Sequence, residues 1–267
     1  MRRLSALRPP APLRSGEDAG LSCHEVTVVF SGLRALHRVT VSLHRGEILG
    51  VIGPNGAGKT TLVNMLSGFA PVESGSVHLD GRDISALRPE RRARLGLVRT
   101  FQHGRLFPGL TVRENVELGA LGVGSSAADA RRTADRLLRE FDVERLGGVR
   151  AGELAHGDQQ HVAVMRATAA APKFILLDEP AAGLSESHTL QLGKVLERLS
   201  GSGGAGVLII DHNVEFILKE SDRVIVLDHG ELIAHGTPGE IRRDLSVVSA
   251  YLGDSGVRDD AAAAQHD

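Results

Sequence analysis

The sequence is poor in aromatic residues and in cysteine. Aromatic residues make up 3% of the 267 residues and tryptophan is absent, which argues against a surface that stacks the bases of single-stranded nucleic acid. Cys23 is the only cysteine, so an internal disulfide is excluded and a reducing compartment is expected. No apolar run approaches the length of a membrane-spanning helix, and the arginine-rich start lacks the apolar stretch of a secretion signal.

The charge is nearly balanced. The 31 Lys+Arg and 33 Asp+Glu give a formal net charge of −2, and they form no long basic block, so no nucleic-acid partner is predicted. With 42% hydrophobic residues, the chain can build one large α/β domain. We expect two disordered tails, at residues 1–20, which are rich in Arg, Ala and Pro, and at residues 254–267.

A glycine-rich loop carries the strongest chemical signal. It matches the pattern G-x-x-x-x-G-K-[ST], follows a short apolar strand at 48–52 and precedes an apolar helix from Thr61. Its glycines let backbone N–H groups approach phosphate oxygens, Lys59 suits the β- and γ-phosphates, and the Thr60 hydroxyl suits Mg²⁺. A chance match is disfavoured by the flanking strand and helix. The predicted nucleotide-binding residues are Gly53, Pro54, Asn55, Gly56, Ala57, Gly58, Lys59, Thr60 and Thr61.

Three apolar strands end in polar residues: Gln102, the pair Asp178-Glu179, and His212. In open α/β sheets the ligand binds at the carboxyl edge of the strands, so these residues are expected at one site. Asp178, predicted on the strand beside the phosphate loop, suits Mg²⁺, and Glu179 suits the orientation or deprotonation of a water. A solvated loop start is the alternative, but the preceding strand is uninterrupted and apolar.

Local patterns predict the other elements. Hairpins are expected around Asp80-Gly81 and His229-Gly230, and helices over 111–146, with a break at 122–126, and over 159–171. Thr111 and Glu114 predict a capping box. Phe30 is a candidate to stack on an adenine ring, and a place in the core is the equal alternative.

The order and spacing of these motifs resemble the nucleotide-binding subunit of an ATP-binding cassette (ABC) transporter over residues 21–253. The loop resembles Walker A, Gln102 the Q-loop, 177–180 Walker B, 181–184 the start of the D-loop and His212 the switch histidine. The resemblance implies an α/β P-loop NTPase (RecA-like) core with an antiparallel β subdomain and an α-helical subdomain inserted at approximately 103–170. It also implies ATP and Mg²⁺ as cofactors. The implied catalytic residues are Glu179, His212 and Gln102, and the implied metal ligands are Thr60, Gln102 and Asp178.

The signature segment departs from the family pattern L-S-G-G-Q. It is Leu154-Ala155-His156-Gly157-Asp158, and in the family this segment contacts the ATP of a second subunit. Ala155 lacks the serine hydroxyl, whereas the Gly157 N–H can still face a phosphate, so both remain predicted nucleotide contacts. Asp158 is expected to cap the following helix. Ser185 stands where the D-loop usually has Asp or Asn.

A narrower resemblance is to importers of branched-chain and other hydrophobic amino acids, with relatives that handle urea or amides. It rests on 99–103, 105–107, 110–115, 179–184 and 250–253. It implies a second nucleotide-binding subunit, identical or different, transmembrane permease subunits, indirectly a solute-binding protein, and a peripheral place at the cytoplasmic face of the cell membrane. Phe107 and Leu110 are the predicted permease contacts, with packing inside the domain as the alternative.

Three other functional classes share some of these motifs. A soluble ABC ATPase of translation or DNA repair usually carries two cassettes or a coiled-coil insert, and neither is visible. A small-molecule kinase does not explain Gln102, Asp178-Glu179 and His212 together. A regulatory subunit with weak turnover, paired with a different ATPase subunit, is the alternative that the altered signature keeps open.

Overall fold

The computed structural model describes residues 20–101, 106–201, 204–244 and 247. A four-stranded antiparallel sheet has the order β2-β1-β4-β5. Its strands are β1 (Leu21–Phe30), β2 (Leu33–Leu43), β4 (Ser74–Leu79) and β5 (Arg82–Asp83). The hairpin predicted at Asp80-Gly81 joins β4 to β5, which confirms it.

The second sheet has six strands in the order β10-β9-β3-β8-β7-β6. These are β3 (Ile48–Ile52), β6 (Leu97–Arg99), β7 (Phe174–Asp178), β8 (Gly206–Ile210), β9 (Arg223–Asp228) and β10 (Glu231–Gly236). The prediction that Asp178 lies on the strand beside the phosphate loop is wrong, because β8 pairs with both β3 and β7 and separates them. Local sequence carries no information on this order, since any apolar parallel strand can occupy the middle of the sheet.

Both faces of the six-stranded sheet are buried, because consecutive residues of its strands enter different cores. Phe174 and Leu176 of β7 pack in a cluster that also holds residues of β1 and β2. Ile175 and Leu177 point the other way, into a second cluster. β3 and β8 alternate in the same manner, so their uninterrupted apolar sequences reflect burial on two sides.

Some helices pack on the sheets, and others form an apolar cluster of their own. The helices are α1 (Lys59–Ser67), α2 (Pro89–Arg94), α3 (Val112–Gly122), α4 (Ala127–Glu140), α5 (His156–Ala169), α6 (Glu186–Ser200), α7 (Val214–Glu220) and α8 (Pro238–Ile241). The predicted break at 122–126 and the capping box at Thr111 are confirmed. The helix predicted to reach 146 ends at Glu140, and the one predicted from 159 begins at His156. No helix in the described ranges is both long enough and apolar enough to span a bilayer.

The helices α3, α4 and α5 pack around their own apolar cluster, which includes Val116, Leu137 and Met165. This cluster is distinct from the two that flank the six-stranded sheet. The arrangement agrees with the predicted fold class, an α/β core with an antiparallel β subdomain and an α-helical part. The exact domain limits remain predictions, and the two predicted tails lie outside the described residues, except that Gly20 is described as buried.

Arg92 holds the carboxyl end of α1. Its side chain is fully buried and donates to the carbonyl oxygens of Met65 (2.9 Å), Leu66 (2.6 Å), Leu87 (2.9 Å) and Ser85 (2.9 Å). Burial lowers the pKa of Arg92 to about 10, and the charge of Asp83 opposes the shift. The negative end of the helix dipole and these carbonyls stabilise the buried cation, which fixes the helix that follows the glycine-rich loop.

Candidate functional site

The glycine-rich loop adopts a backbone that side chains would block. Gly53 has φ 156°, and a β-carbon there would lie 2.1 Å from the Leu227 carbonyl oxygen. Gly58 has φ 102°, and a β-carbon there would lie 2.8 Å from the Ala35 oxygen. Gly58 is the N-cap of α1, and no side chain caps this helix. The first turn of α1 therefore presents its N–H groups in the way that suits an anion.

Lys59 lies at the start of α1 with its ammonium turned back toward the loop. Its Nζ donates to the carbonyl oxygens of Gly53 (2.6 Å) and Pro54 (2.8 Å). Burial lowers the pKa of Lys59, and the charge of Glu179 opposes that shift. The cation is thus held beside the loop, next to the turn that would wrap a phosphate.

A cavity of about 350 Å³ opens at the loop. Several predicted residues line it, together with Leu33, Arg34, Ala35 and His229, which sequence reasoning missed because they lie far from the loop in the chain. The predicted residues in the lining are Asn55, Gly56, Ala57, Gly58, Lys59, Thr60, Thr61, Glu179 and His212. Phe30, whose side chain is 43% exposed, does not line the cavity, and neither do Gly53, Pro54 and Asp178.

Glu179 and His212 come together at the carboxyl ends of β7 and β8. His212 Nε2 lies 2.7 Å from Glu179 Oε1, and the Glu179 side chain is 14% exposed. Glu179 has φ 51°, the left-handed region that non-glycine residues rarely adopt, and its N–H donates to the Ile210 oxygen at 2.9 Å. Such strain at a strand end is typical of a functional position.

Two buried carboxylates flank this pair. Burial raises the pKa of Asp178, and the guanidinium of Arg99, 3.0 Å from its Oδ2, opposes the shift. Burial likewise raises the pKa of Asp211, whose oxygens accept from the N–H groups of Asn213 and Ala181, both at 2.9 Å. Sequence reasoning missed Asp211, although its position after an apolar strand is the same signal that revealed Asp178.

The oxygen donors near the loop suit Mg²⁺. Thr60 is exposed and offers a hydroxyl at the start of α1, and Asp178 offers a carboxylate at the end of β7. Across the described residues, no group of three or more His, Cys, Asp or Glu side chains is arranged to hold a metal ion. This sparse donor set fits a metal that takes its remaining ligands from phosphates and water. The third predicted ligand, Gln102, lies outside the described residues.

The signature segment forms the start of α5, and none of its residues lines the cavity. Ala155 is the N-cap, and no side chain caps the helix. The expectation that Asp158 caps α5 is wrong: the helix begins at His156, so Asp158 lies inside its first turn. Its Oδ1 lies 3.7 Å from His188 Nε2. Gly157 packs against the same imidazole, because a β-carbon there would lie 2.9 Å from the ring.

His188 also contacts the D-loop. Its Nδ1 lies 2.7 Å from the Ser185 Oγ, and Ser185 caps α6 through the His188 N–H. Nearby, the His156 Nε2 donates to the Ala182 oxygen at 3.2 Å. Imidazoles therefore hold the altered signature against the D-loop of the same chain, a contact that no local pattern in the sequence reveals.

Comparisons with known protein families agree with this geometry. The profile described as "ABC transporter" matches residues 36–182, which span the loop, the signature segment and the pair Asp178-Glu179. The chain belongs to the ABC transporter family. As the ATP-binding subunit of such a transporter, it is an ATPase coupled to transport. A second profile, "Branched-chain amino acid ATP-binding cassette transporter", matches residues 231–257.

Curated relatives cover almost the whole cassette. The chain is 39% identical to the lipopolysaccharide export system ATP-binding protein LptB of Escherichia coli K12, over 88% of this chain and 98% of that protein. It is 36% identical to the high-affinity branched-chain amino acid transport ATP-binding protein LivG of Salmonella typhimurium, with the same coverage. The resemblance to the branched-chain subgroup is thereby confirmed.

Solved structures of ABC cassettes share the fold. A cassette in its ADP conformation is 29% identical and superposes with a TM-score of 0.79, over 88% of this chain and 98% of that one. A dimeric cassette in a post-hydrolysis state, bound to ADP and Pi, is 27% identical with a TM-score of 0.74, over 82% and 98%. The predicted fold class is confirmed.

Proposed function

We propose that this ABC subunit binds and hydrolyses ATP to power an importer of branched-chain or other hydrophobic amino acids, or of urea or amides. The observation that carries the import assignment is the branched-chain profile over residues 231–257. The similarity to LivG, a branched-chain amino acid transport protein, supports it.

The nucleotide is proposed to lie in the cavity at the loop. The N–H groups of the loop and of the first turn of α1 hold the phosphates, and the Lys59 ammonium offsets their charge. Mg²⁺, held by Thr60, Asp178 and Gln102, would supply charge neutralisation at the phosphates. Phe30 is proposed to reach the adenine, and the exposure of its ring is compatible with that contact.

Hydrolysis is proposed to depend on Glu179 and His212. The Glu179 carboxylate faces the cavity and orients or deprotonates the attacking water. His212, 2.7 Å away, fixes the carboxylate and senses the γ-phosphate. Gln102 is proposed to sense the same phosphate. The strained backbone of Glu179 supports this assignment because residues in such rarely populated conformations cluster at functional sites.

A second subunit is proposed to complete each site with its own signature segment. Ala155 and Gly157 would contact the partner's ATP through the uncapped start of α5. The dimeric cassette with ADP and Pi supports such an assembly. The partner is either a second copy or a different ATPase subunit, and with the second arrangement this chain would be a regulatory subunit with weak turnover.

Permease subunits are proposed to dock near Phe107 and Leu110, which places the chain at the cytoplasmic face of the membrane. Phe107 is 54% exposed, whereas Leu110 is half-buried, so Phe107 is the stronger candidate. A solute-binding protein would act indirectly, through the permeases.

A second candidate is export of lipopolysaccharide, favoured by the 39% identity to LptB. Uptake of radiolabelled leucine, isoleucine and valine separates the two candidates, in cells that carry either the wild-type chain or Lys59→Ala. Loss of uptake with Lys59→Ala supports import. Unchanged uptake, together with Mg-ATP hydrolysis by the purified wild-type chain, contradicts import of branched-chain amino acids and leaves the ATPase assignment intact.

A further inference from the structure

Arg99 lies at the junction of three elements of the ATP site. It is the last residue of β6, which runs parallel to β7, and its side chain is 7% exposed. Its Nη2 lies 3.0 Å from Oδ2 of Asp178, whose side chain is 5% exposed. A guanidinium in such a place requires several partners, because burial of an unpaired cation is costly.

The other edge of the guanidinium is attached to the helix that follows the loop. Arg99 Nη1 donates to Asn64 Oδ1 at 2.6 Å and to Ser67 Oγ at 3.2 Å, and both partners belong to α1. The Nε donates to the Thr100 oxygen at 3.2 Å. One planar group with fixed donor directions therefore joins the end of β7 to the last turns of α1.

Two aromatic rings confine the plane of this guanidinium. The Cζ of Arg99 lies 5.2 Å from the centroid of the Phe69 ring and 4.5 Å from that of Phe101. The two rings meet edge to face, 5.4 Å apart. Phe69 follows α1 and Phe101 follows β6, so the stack adds a link between α1 and β6.

We propose that Arg99 is a positioning residue that fixes the Asp178 carboxylate relative to the nucleotide loop for binding of Mg-ATP. The inference rests on the proposed function, in which Asp178 is a metal ligand. Residues that hydrogen-bond a metal-ligating carboxylate orient it, and their removal typically weakens metal binding. Arg99 would thus act through Asp178, without touching the nucleotide.

The test compares ATP affinity of the purified full chain in Mg²⁺ and in EDTA, by isothermal titration calorimetry, with the melting temperature recorded for each variant. Arg99→Lys keeps the positive charge and removes the planar guanidinium group with its several N–H donors. Arg223→Lys is the matched control: Arg223 is paired with Glu47 at 2.8 Å, is partly buried, and lies at the opposite end of the sheet, at the start of β9.

We expect Arg99→Lys to reduce the gain in ATP affinity that Mg²⁺ provides by about tenfold, with the affinity in EDTA unchanged. Arg223→Lys should leave both affinities unchanged. An equal loss in Mg²⁺ and in EDTA, or no loss at all, would overturn the positioning role. If the wild-type chain shows no Mg²⁺-dependent ATP binding, the proposed function itself fails, which is a distinct outcome.

If Arg99→Lys does not fold, Phe69→Leu decides the question, because Phe69 is 53% exposed and its replacement leaves the guanidinium in place. A weakened stack should then reduce the Mg²⁺-dependent gain by about two- to fivefold. An unchanged gain in this variant would contradict the proposal.

Discussion

The nucleotide loop and the signature segment both place the start of a helix where a phosphate is expected, yet they differ in how that start is held. Neither α1 nor α5 has a side-chain cap, whereas α3, α4, α6, α7 and α8 are all capped by Thr, Ser or Asn. The first turn of α1 contains no acidic residue, and that of α5 contains Asp158. The free N–H groups at an uncapped helix start attract an anion. An acidic side chain in the first turn weakens that attraction, because its negative charge repels the anion.

The supports of the two helix starts differ as well. The loop before α1 is bounded by backbone carbonyl groups. Arg92 and Arg99 hold the last turns of α1 through hydrogen bonds to residues of that helix. The start of α5 rests on exposed or half-buried imidazoles, His156 and His188. We expect substitution of the arginines that hold α1 to lower the stability of the fold strongly. We expect substitutions at the start of α5 to alter assembly with little effect on stability.

The largest effect on stability is expected for Arg92→Met. Its removal leaves buried carbonyl oxygens at the end of α1 without their donor, so the free energy of unfolding should fall by about 3–5 kcal/mol. Urea unfolding followed by circular dichroism measures this. Arg91→Met, at the exposed neighbouring position on α2, should change the free energy of unfolding by less than about 0.5 kcal/mol. Equal values for the two variants would contradict the role assigned to Arg92.

Glu179→Gln tests whether the carboxylate beside the nucleotide loop is needed for ATP hydrolysis. Loss of the carboxylate should lower the rate of ATP hydrolysis by about 10²–10⁴-fold, while ATP affinity stays within a few-fold of wild type. Steady-state phosphate release and calorimetry measure the two quantities. Size exclusion with and without Mg-ATP then shows whether the variant forms a nucleotide-dependent dimer. Hydrolysis that survives at the wild-type rate would remove Glu179 from the mechanism.

The combined change Ala155→Ser and Asp158→Gln returns two family residues to the signature. It adds one hydrogen bond, worth about 1 kcal/mol, and removes a negative charge near the partner's phosphate. The ATP concentration that drives dimerisation in the Glu179→Gln background should therefore fall about fivefold. Thermal stability should hardly change, since both positions are outside the cores. A weaker dimer would show that Asp158 and His188 together are already suited to assembly.

The smallest effect is expected for alkylation of Cys23 in the folded chain. This thiol is fully buried in the cluster that supports α1, and burial raises its pKa to about 12, so the reactive thiolate is scarce at pH 8. Reaction with an alkylating reagent should follow unfolding alone. In contrast, Ser187→Cys, exposed on α6 near the signature, should react at once and be protected by ATP-driven dimerisation. Rapid labelling of Cys23 in the native chain would contradict the buried geometry.

Sequence reasoning succeeded where the chemistry is contained in a short stretch of chain. The nucleotide loop, the pair Asp178-Glu179 and His212 were each visible from residue type, spacing and a flanking apolar run. It failed where the partners are distant in the chain. Arg99 and Asp178 are 79 positions apart, and Arg92 is 27 positions from Met65, so no local pattern links them.

The placement of Asp158 shows a finer limit. The residue type favours a cap, but a helix start depends on which backbone N–H groups are free, and α5 begins three residues earlier than a cap at that position requires. The position of β8 between β3 and β7 is a similar case, because every apolar parallel strand satisfies the same pattern.

The elements and the kind of site could be predicted from local sequence: apolar strands, a glycine-rich turn before a helix, and carboxylates at strand ends. These follow from steric rules and periodicities that act over a few residues. Three features are visible only in the folded structure: the order of the strands, the hydrogen bonds by which Arg92 and Arg99 hold α1, and the contact of His188 with the signature segment. These features depend on burial, because a charged or polar group removed from water needs a partner, and that partner can be distant in the chain.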